Sequence, residues 1–184
     1  MGESDEGLML AYAGGDAAAF ERLYARHKGP LFRYVLRSVK GRGEAEELFQ
    51  DIWMKVIEAR SRYAPKAKFT TWLYTVAHNR LVDHWRSRGL AIVGSTDDEE
   101  AGVPEPAAPP SAEPQRLNEA RETLERLVAA LAALPLAQRE AFLLHHEGDL
   151  GVAEIAQVTG SDPEAAKSRL RYAMNKLREA IGDD

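Results

Sequence analysis

The chain contains no cysteine among its 184 residues. This absence excludes disulfide frameworks, thiolate catalysis and zinc sites built on cysteine. The sequence also lacks any run of eighteen apolar residues, so no segment is expected to span a membrane. The first residues, MGESDEGLML, carry acids where a signal peptide would be positively charged. We therefore expect a cytoplasmic protein that makes no membrane contact of its own.

Signatures of catalysis are missing as well. His78 and His84 are six residues apart and face different sides of a helix, whereas a helical zinc pair is spaced by four. His145 and His146 are adjacent and also diverge. No glycine-rich phosphate-binding loop with its lysine and hydroxyl residue occurs. We expect no enzymatic activity, no metal and no cofactor.

The charge is divided unevenly along the chain, and this distribution says more about binding partners than the net charge of −5 does. Residues 1–19 hold four acids and no lysine or arginine, whereas residues 20–90 hold fifteen basic and seven acidic side chains. Residues 91–115 hold six acids and nothing basic, and residues 116–184 hold nine basic and twelve acidic side chains. The chain thus has one strongly basic part, which suits an anionic partner.

Strand signals are scarce, and apolar residues recur with helical periodicity. Residues 91–115 form a Pro-, Ala- and acid-rich stretch without apolar periodicity, which is typical of a linker. The sequence predicts an all-α fold of two small helical domains joined by a flexible acidic linker. The predicted divisions are an N-terminal segment 1–15, a first domain 16–90, the linker and a second domain 116–184.

In the first domain we expect three helices. Asp16 is the N-cap of the first, which Gly29-Pro30 is expected to break or kink. The second helix is expected over 44–59. The third is expected to begin at a Thr70 cap and to end around Gly89.

Residues 137–178 of the second domain read as a helix-turn-helix. We expect helices over 117–133, 136–146 and 152–158, then a turn at 159–161. Asp162 is the expected N-cap of the last helix and Pro163 its first residue. The outer face of this helix suits the DNA major groove, although a merely solvated basic face is the alternative. The residues of interest are Glu164, Lys167, Ser168, Arg169, Arg171 and Tyr172.

Aromatic and basic residues alternate through residues 60–88 of the basic domain. Single-stranded nucleic acid is bound by such combinations, because aromatic faces stack on unpaired bases and cations follow the backbone. Phe69 and Trp72, taken alone, are more often core residues. The candidate residues are Tyr63, Lys66, Lys68, Phe69, Trp72, Asn79, Arg80, Arg86 and Arg88.

A third feature is an acidic helix that has apolar residues at nearly every angle. Some of the apolar residues are therefore expected to be exposed to a protein partner. A helix N-terminus with favourable acids and a wide core face remains an equal alternative. The candidate residues are Glu46, Glu47, Gln50, Asp51 and Trp53.

The three features together resemble an extracytoplasmic-function (ECF) sigma factor of bacterial RNA polymerase. The resemblance rests on AEELFQDIWMKV, FTTWLYTVAHNRLVDHWR and LPLAQREAFLLHHEGDLGVAEIAQVTGSDPEAAKSRLRYAMNKLRE in that order, with the acidic stretch between the last two. Such proteins consist of two helical domains, regions 2 and 4, that flank a flexible linker. The resemblance covers about residues 16–181.

The resemblance implies a role for each feature. The acidic helix would dock on the β′ coiled coil of core RNA polymerase, which also has a β subunit. The aromatic and basic stretch would melt the minus-ten promoter element and capture a flipped base. The last helix, through Lys167, Ser168 and Arg169, would read the minus-thirty-five element, and an anti-sigma factor would be a partner.

The chain also departs from the family pattern. Pro163-Glu164-Ala165-Ala166 stands where a small residue and Thr-Val often precede Lys-Ser-Arg, so Glu164 either accepts a hydrogen bond from cytosine or caps the helix. Leu150-Gly151 replaces a common serine cap. A two-domain regulator that binds duplex DNA as a dimer is the alternative function, but it leaves the strongly basic first domain unexplained.

Overall fold

The structure, a computed structural model, describes residues 2–90 and 115–182. Within these ranges it contains helices and no strand, which confirms the all-α prediction. None of the described helices is sufficiently long and apolar to cross a membrane. The predicted linker lies outside the described residues except for Gln115. The helices are α1 (Asp5–Ala13), α2 (Ala17–Ser38), α3 (Arg42–Ala59), a 3-10 turn (Arg60–Arg62), α4 (Phe69–Ser87), α5 (Gln115–Ala133), α6 (Leu136–Gly148), α7 (Val152–Thr159) and α8 (Pro163–Ile181).

The described helices form two units, α1 to α4 and α5 to α8, and the N-terminal residues are part of the first. α1 packs on α2 and on the 3-10 turn, and it buries Leu8 and Met9 completely. Ser4 caps α1, because its hydroxyl accepts a hydrogen bond from the Gly7 amide at 3.1 Å. Residues 5–13 of the predicted N-terminal segment therefore form a helix, for which we made no prediction, and this helix packs on α2.

α2 begins as predicted but does not break. Asp16 caps it by accepting hydrogen bonds from the amides of Ala18 and Ala19. The predicted break at Gly29-Pro30 is wrong, because α2 runs unbroken past Pro30. Its buried residues Leu23 and Leu31 lie on either side of the proline, so continuous core packing offsets the hydrogen bond that a proline cannot make.

The start of α4 differs from the prediction both in its first residue and in the group that caps it. α4 begins at Phe69, and the N-cap residue is Lys68 rather than Thr70. Glu6 of α1 supplies the missing acceptor, since its Oε1 accepts a hydrogen bond from the Phe69 amide at 2.6 Å. A capping group that is distant in sequence leaves no local signal, which explains the wrong assignment.

The second helical unit contains the predicted helix-turn-helix, made of α7 and α8. Gly160 ends α7 at a φ of 63°, a left-handed conformation that glycine adopts without strain. Asp162 caps α8 and Pro163 is its first residue, as predicted. The backbone amide at the start of α7 is hydrogen-bonded as well, because Glu154 accepts from the Gly151 amide at 2.8 Å.

The two helical units pack against each other, which the sequence did not predict. α6 lies on α2, and α7 lies on α4. At the centre of this contact the Tyr34 hydroxyl donates to Oε1 of Glu140 at 2.8 Å, and His78 Nδ1 lies 2.5 Å from the same oxygen. All three side chains are buried. Burial, together with the charge of Glu140, raises the pKa of Tyr34 well above its ordinary value.

Two ion pairs lie at the edge of this contact. Arg33 Nη2 is 2.9 Å from Oε2 of Glu147, and Lys68 Nζ is 2.9 Å from Oε1 of Glu154. Gly148 lies so close to Tyr74 that an added Cβ would meet its ring at 3.1 Å. The two units therefore fit each other through charge and shape, and the whole arrangement is called the closed arrangement below.

Candidate functional site

The predicted acidic surface lies on α3. Glu46, Glu47, Gln50 and Asp51 are all exposed, and we call them the α3 acidic face. Glu46 pairs with Arg42 one turn earlier, at 3.0 Å. These four residues form a hydrophilic surface that is open to a basic partner.

Trp53, the fifth residue predicted for this surface, is a core residue instead. It is 5% exposed, and its ring lies 5.0 Å from the ring of Tyr24 and 5.8 Å from that of Phe20. The large exposed apolar residue of α3 is Met54, at 54%. The wide core face that the sequence left as an alternative accounts for Trp53.

A groove of about 300 Å³ separates α3 from α4. Asn79 and Arg80 line it from α4, and Lys55 lines it from α3. Arg80 donates through Nε and Nη2 to Oδ2 of Asp51, at 3.0 and 2.8 Å. This ion pair links the groove directly to the α3 acidic face. The further lining residues are Glu58, Ala59, Arg62, Val76 and Asp83.

The loop of residues 63–68 contains fewer free aromatic rings than the sequence predicted. Tyr63 is 8% exposed and Phe69 is fully buried, with ring centroids 6.2 Å apart. Trp72 is half-buried, with its ring centroid 5.0 Å from that of Tyr63. Tyr63 and Phe69 therefore belong to the core and are not free platforms for bases. A core position was the stated alternative for Phe69, and the structure gives Tyr63 such a position as well.

The basic residues near this loop remain at the surface. Lys66 and Lys68 are exposed, and the hydrogen bond with Glu154 raises the pKa of Lys68. The pKa of Glu154 is lowered, first by the Gly151 amide and then by Lys68. Asn79 and Arg86 are exposed on α4, and Arg88, the residue that caps its C-terminus, is exposed as well and contacts Glu44.

The outer face of α8 carries the residues that the sequence singled out for this helix. Lys167, Arg171 and Tyr172 are exposed, and the Arg171 guanidinium carbon lies 5.4 Å from the centroid of the Tyr172 ring. Ser168 and Arg169 are half-buried beside them. Leu170, Ala173 and Leu177 are buried on the opposite side. Glu164 is exposed at the helix start, where Asp162 provides the side-chain cap.

No three histidine or carboxylate side chains within residues 2–90 and 115–182 are grouped so that they could hold a metal ion. The described residues instead present three charged surfaces, namely the α3 acidic face, the groove with its three cations and two carboxylates, and the outer face of α8.

Two family models match the chain. The model of Sigma-70 region 2 matches residues 23–90, and the model of Sigma-70 region 4 matches residues 124–177. The RNA polymerase sigma factor CarQ of Myxococcus xanthus is 33% identical over 177 residues, which are 95% of this chain and 96% of CarQ. The ECF sigma factor SigL of Mycobacterium tuberculosis is 32% identical over 170 residues, 90% of each chain. The chain belongs to the ECF sigma factor family.

Two solved structures share the fold of this sigma factor. The structure of CnrH in complex with the cytosolic domain of CnrY has a TM-score of 0.67 at 22% identity and covers 98% of both chains. The sigma factor RpoE of Bartonella quintana, in complex with the anti-sigma factor NepR, has a TM-score of 0.66 at 24% identity. That match covers 90% of this chain and 98% of RpoE.

Sequence reasoning missed several residues at these surfaces of the sigma factor. Lys55 and Arg62 line the groove but were not singled out. A signal for Lys55 did exist, because it follows Asp51 by four residues and so lies on the same helix face. Glu6 and Glu140 left no such signal, since their partners are distant in the sequence.

Replacing Tyr63 with phenylalanine tests whether this ring is a core residue. The Tyr63 hydroxyl is buried without a hydrogen-bond partner among the described residues, and burial followed by the charges of Glu6 and Asp5 raises its pKa to about 12. Removing an unpaired buried hydroxyl relieves a cost of about 1 kcal/mol. We expect Tyr63→Phe to raise the free energy of unfolding by about this amount, measured by urea denaturation. A loss of stability would show that the hydroxyl has a partner.

Proposed function

We propose that this sigma factor binds core RNA polymerase through region 2 and directs it to promoters by contacting DNA at two places. In this proposal the α3 acidic face binds the β′ coiled coil. The groove and the loop of residues 63–68 melt the minus-ten element, and the outer face of α8 reads the minus-thirty-five element. The sigma factor contributes binding energy rather than catalytic groups.

One observation carries the proposal most strongly, namely that region 2 has opposite charges on neighbouring surfaces. The α3 acidic face suits a basic protein surface, whereas the groove beside it carries three cations, Lys55, Arg62 and Arg80, against the two carboxylates of Glu58 and Asp83. Asn79 adds an amide that can donate to and accept from an unpaired base. A domain that binds polymerase and single-stranded DNA at once needs these two surfaces side by side.

In vitro transcription tests the proposal. The sigma factor is added to the core polymerase of the same organism on a library of its genomic fragments, and we expect new transcripts that start at shared promoter sequences. A complete absence of new transcripts would contradict the proposal. It would then favour the rival function, a regulator that binds duplex DNA without polymerase.

Charge reversal on the α3 acidic face is expected to abolish core binding. Glu47 and Gln50 are the better targets, because Asp51 also holds Arg80 and Glu46 also pairs with Arg42. We expect Glu47→Lys with Gln50→Lys to lower affinity for core at least tenfold, measured by co-purification and fluorescence anisotropy. Glu179→Lys at an exposed position on α8 is the control. Unchanged affinity would assign core binding to another surface.

The α8 face is proposed to lie in the major groove. Exposed cations there supply phosphate contacts, which weaken with salt, or bidentate contacts to guanine. Lys167 and Arg171 are the exposed cations among the residues singled out on this face.

We expect Arg171→Ala to weaken holoenzyme binding to duplex promoter DNA about tenfold, because one good contact to a base contributes about 1–3 kcal/mol. Lys176→Ala, which removes an exposed cation paired with Glu179 on another side of the helix, is the matched control. Both are measured by filter binding at fixed salt. Equal losses for the two variants would mean that α8 contributes general charge rather than a defined face.

The proposed DNA contacts require the closed arrangement to open. Elements at minus ten and minus thirty-five are about 25 base pairs apart, or about 85 Å along B-form DNA. In the closed arrangement Lys68 of region 2 instead contacts Glu154 of region 4. We propose that the closed arrangement is the free form, that polymerase stabilises an open one, and that an anti-sigma factor is a partner, as NepR is for RpoE.

A cleavable cross-link tests the opening. The natural chain has no cysteine, so Arg33→Cys with Glu147→Cys places thiols only on the two sides of the closed arrangement. We expect a bismaleimide containing a reducible disulfide to block promoter-dependent transcription by more than tenfold and reduction to restore it. The single-cysteine variants treated in the same way are the controls. Full activity of the cross-linked protein would contradict the need for opening.

A further inference from the structure

α1 touches both ends of the loop of residues 63–68, which the proposed function assigns to the minus-ten element. On the entry side, in the 3-10 turn that leads into the loop, the guanidinium carbon of Arg60 lies 5.6 Å from the centroid of the Tyr12 ring. At the exit, Oε1 of Glu6 accepts the hydrogen bond from the Phe69 amide at 2.6 Å. The loop is thus tied at both ends to a helix far away in the sequence.

The contact at the exit supplies a hydrogen-bond acceptor for the first backbone amide of α4. The first amides of a helix have no partner within the helix, and Lys68 at the N-cap makes no side-chain capping bond within the described chain. A carboxylate at this end accepts the amide hydrogen bond and also complements the helix dipole. Because Glu6 is partly buried, water screens this interaction less than it would at an exposed site.

The residue before Glu6 anchors α1 to α2. The neighbouring Asp5 binds α2, with Oδ1 2.7 Å from Arg26 Nη1 and Oδ2 2.8 Å from His27 Nε2. The His27 ring lies 5.2 Å from the ring of Phe69. A continuous set of contacts therefore runs from α2 through α1 to the first residue of α4.

We infer that Glu6 is a positioning residue for promoter melting, because its bond to the Phe69 amide fixes where the loop of residues 63–68 joins α4. The inference rests on the proposed function and extends it, since Glu6 contacts no DNA itself. The ion pair of Glu3 with Arg22, on the same segment, does not touch the loop and supplies a control.

The experiment compares full-length variants bound to core polymerase. The probes are a single-stranded oligonucleotide with the non-template minus-ten sequence of a promoter recovered by in vitro transcription, and a duplex that carries only its minus-thirty-five element. We expect Glu6→Ala to weaken binding to the single strand about five- to tenfold, with affinity for the duplex and for core unchanged. Glu6→Gln keeps an acceptor oxygen, so it should stay within twofold of the natural chain, as should Glu3→Gln.

Several results would overturn the inference. These are unchanged single-strand binding by Glu6→Ala, a loss with Glu6→Gln as large as with Glu6→Ala, or equal losses on both probes. If Glu6→Ala does not fold, Glu6→Asp decides, because it withdraws the carboxylate from the Phe69 amide and keeps the charge. A selective loss of threefold or more supports the inference, and no loss overturns it. If the natural holoenzyme binds neither probe, the proposed function fails and the inference fails with it.

Discussion

The relation between the two halves of the molecule depends on one buried carboxylate, that of Glu140. A carboxylate in a protein interior is costly unless it is hydrogen-bonded, and the partners here, Tyr34 and His78, both come from the other half of the chain. The second domain therefore satisfies this group only when it sits correctly on α2 and α4. In the opening that we propose, water would replace both partners, so the contact specifies the closed arrangement without making it permanent.

Charged side chains on the surfaces that the proposal assigns to partners are also paired within the chain. Asp51 of the α3 acidic face holds Arg80 of the groove, and Lys68 of the loop holds Glu154 of α7. Exposed ion pairs of this kind contribute little stability in water. In the proposed function, polymerase and DNA would therefore replace one partner of each ion pair at a small cost in free energy.

The parts that could be predicted from the sequence are those with local causes. Asp162 and Pro163 start α8 by capping chemistry within a few residues, and the buried stripe with Leu170 and Leu177 follows the helical repeat. The aromatic residues were harder, because a ring suits both a base platform and a core. Trp53 and Phe69 turned out to be buried, and on α3, which is apolar at nearly every angle, periodicity could not have separated the two uses.

By itself the sequence determined the helices other than α1, most of their ends, the uneven distribution of charge and the family resemblance, since each depends on residues close together in the chain or on their order. Only the tertiary structure decided which side chains meet. Glu6 caps α4 from 63 residues away, and Glu140 joins Tyr34 from 106 residues away. Such contacts arise from how helices pack, and the packing of helices is set by the whole core rather than by any local pattern.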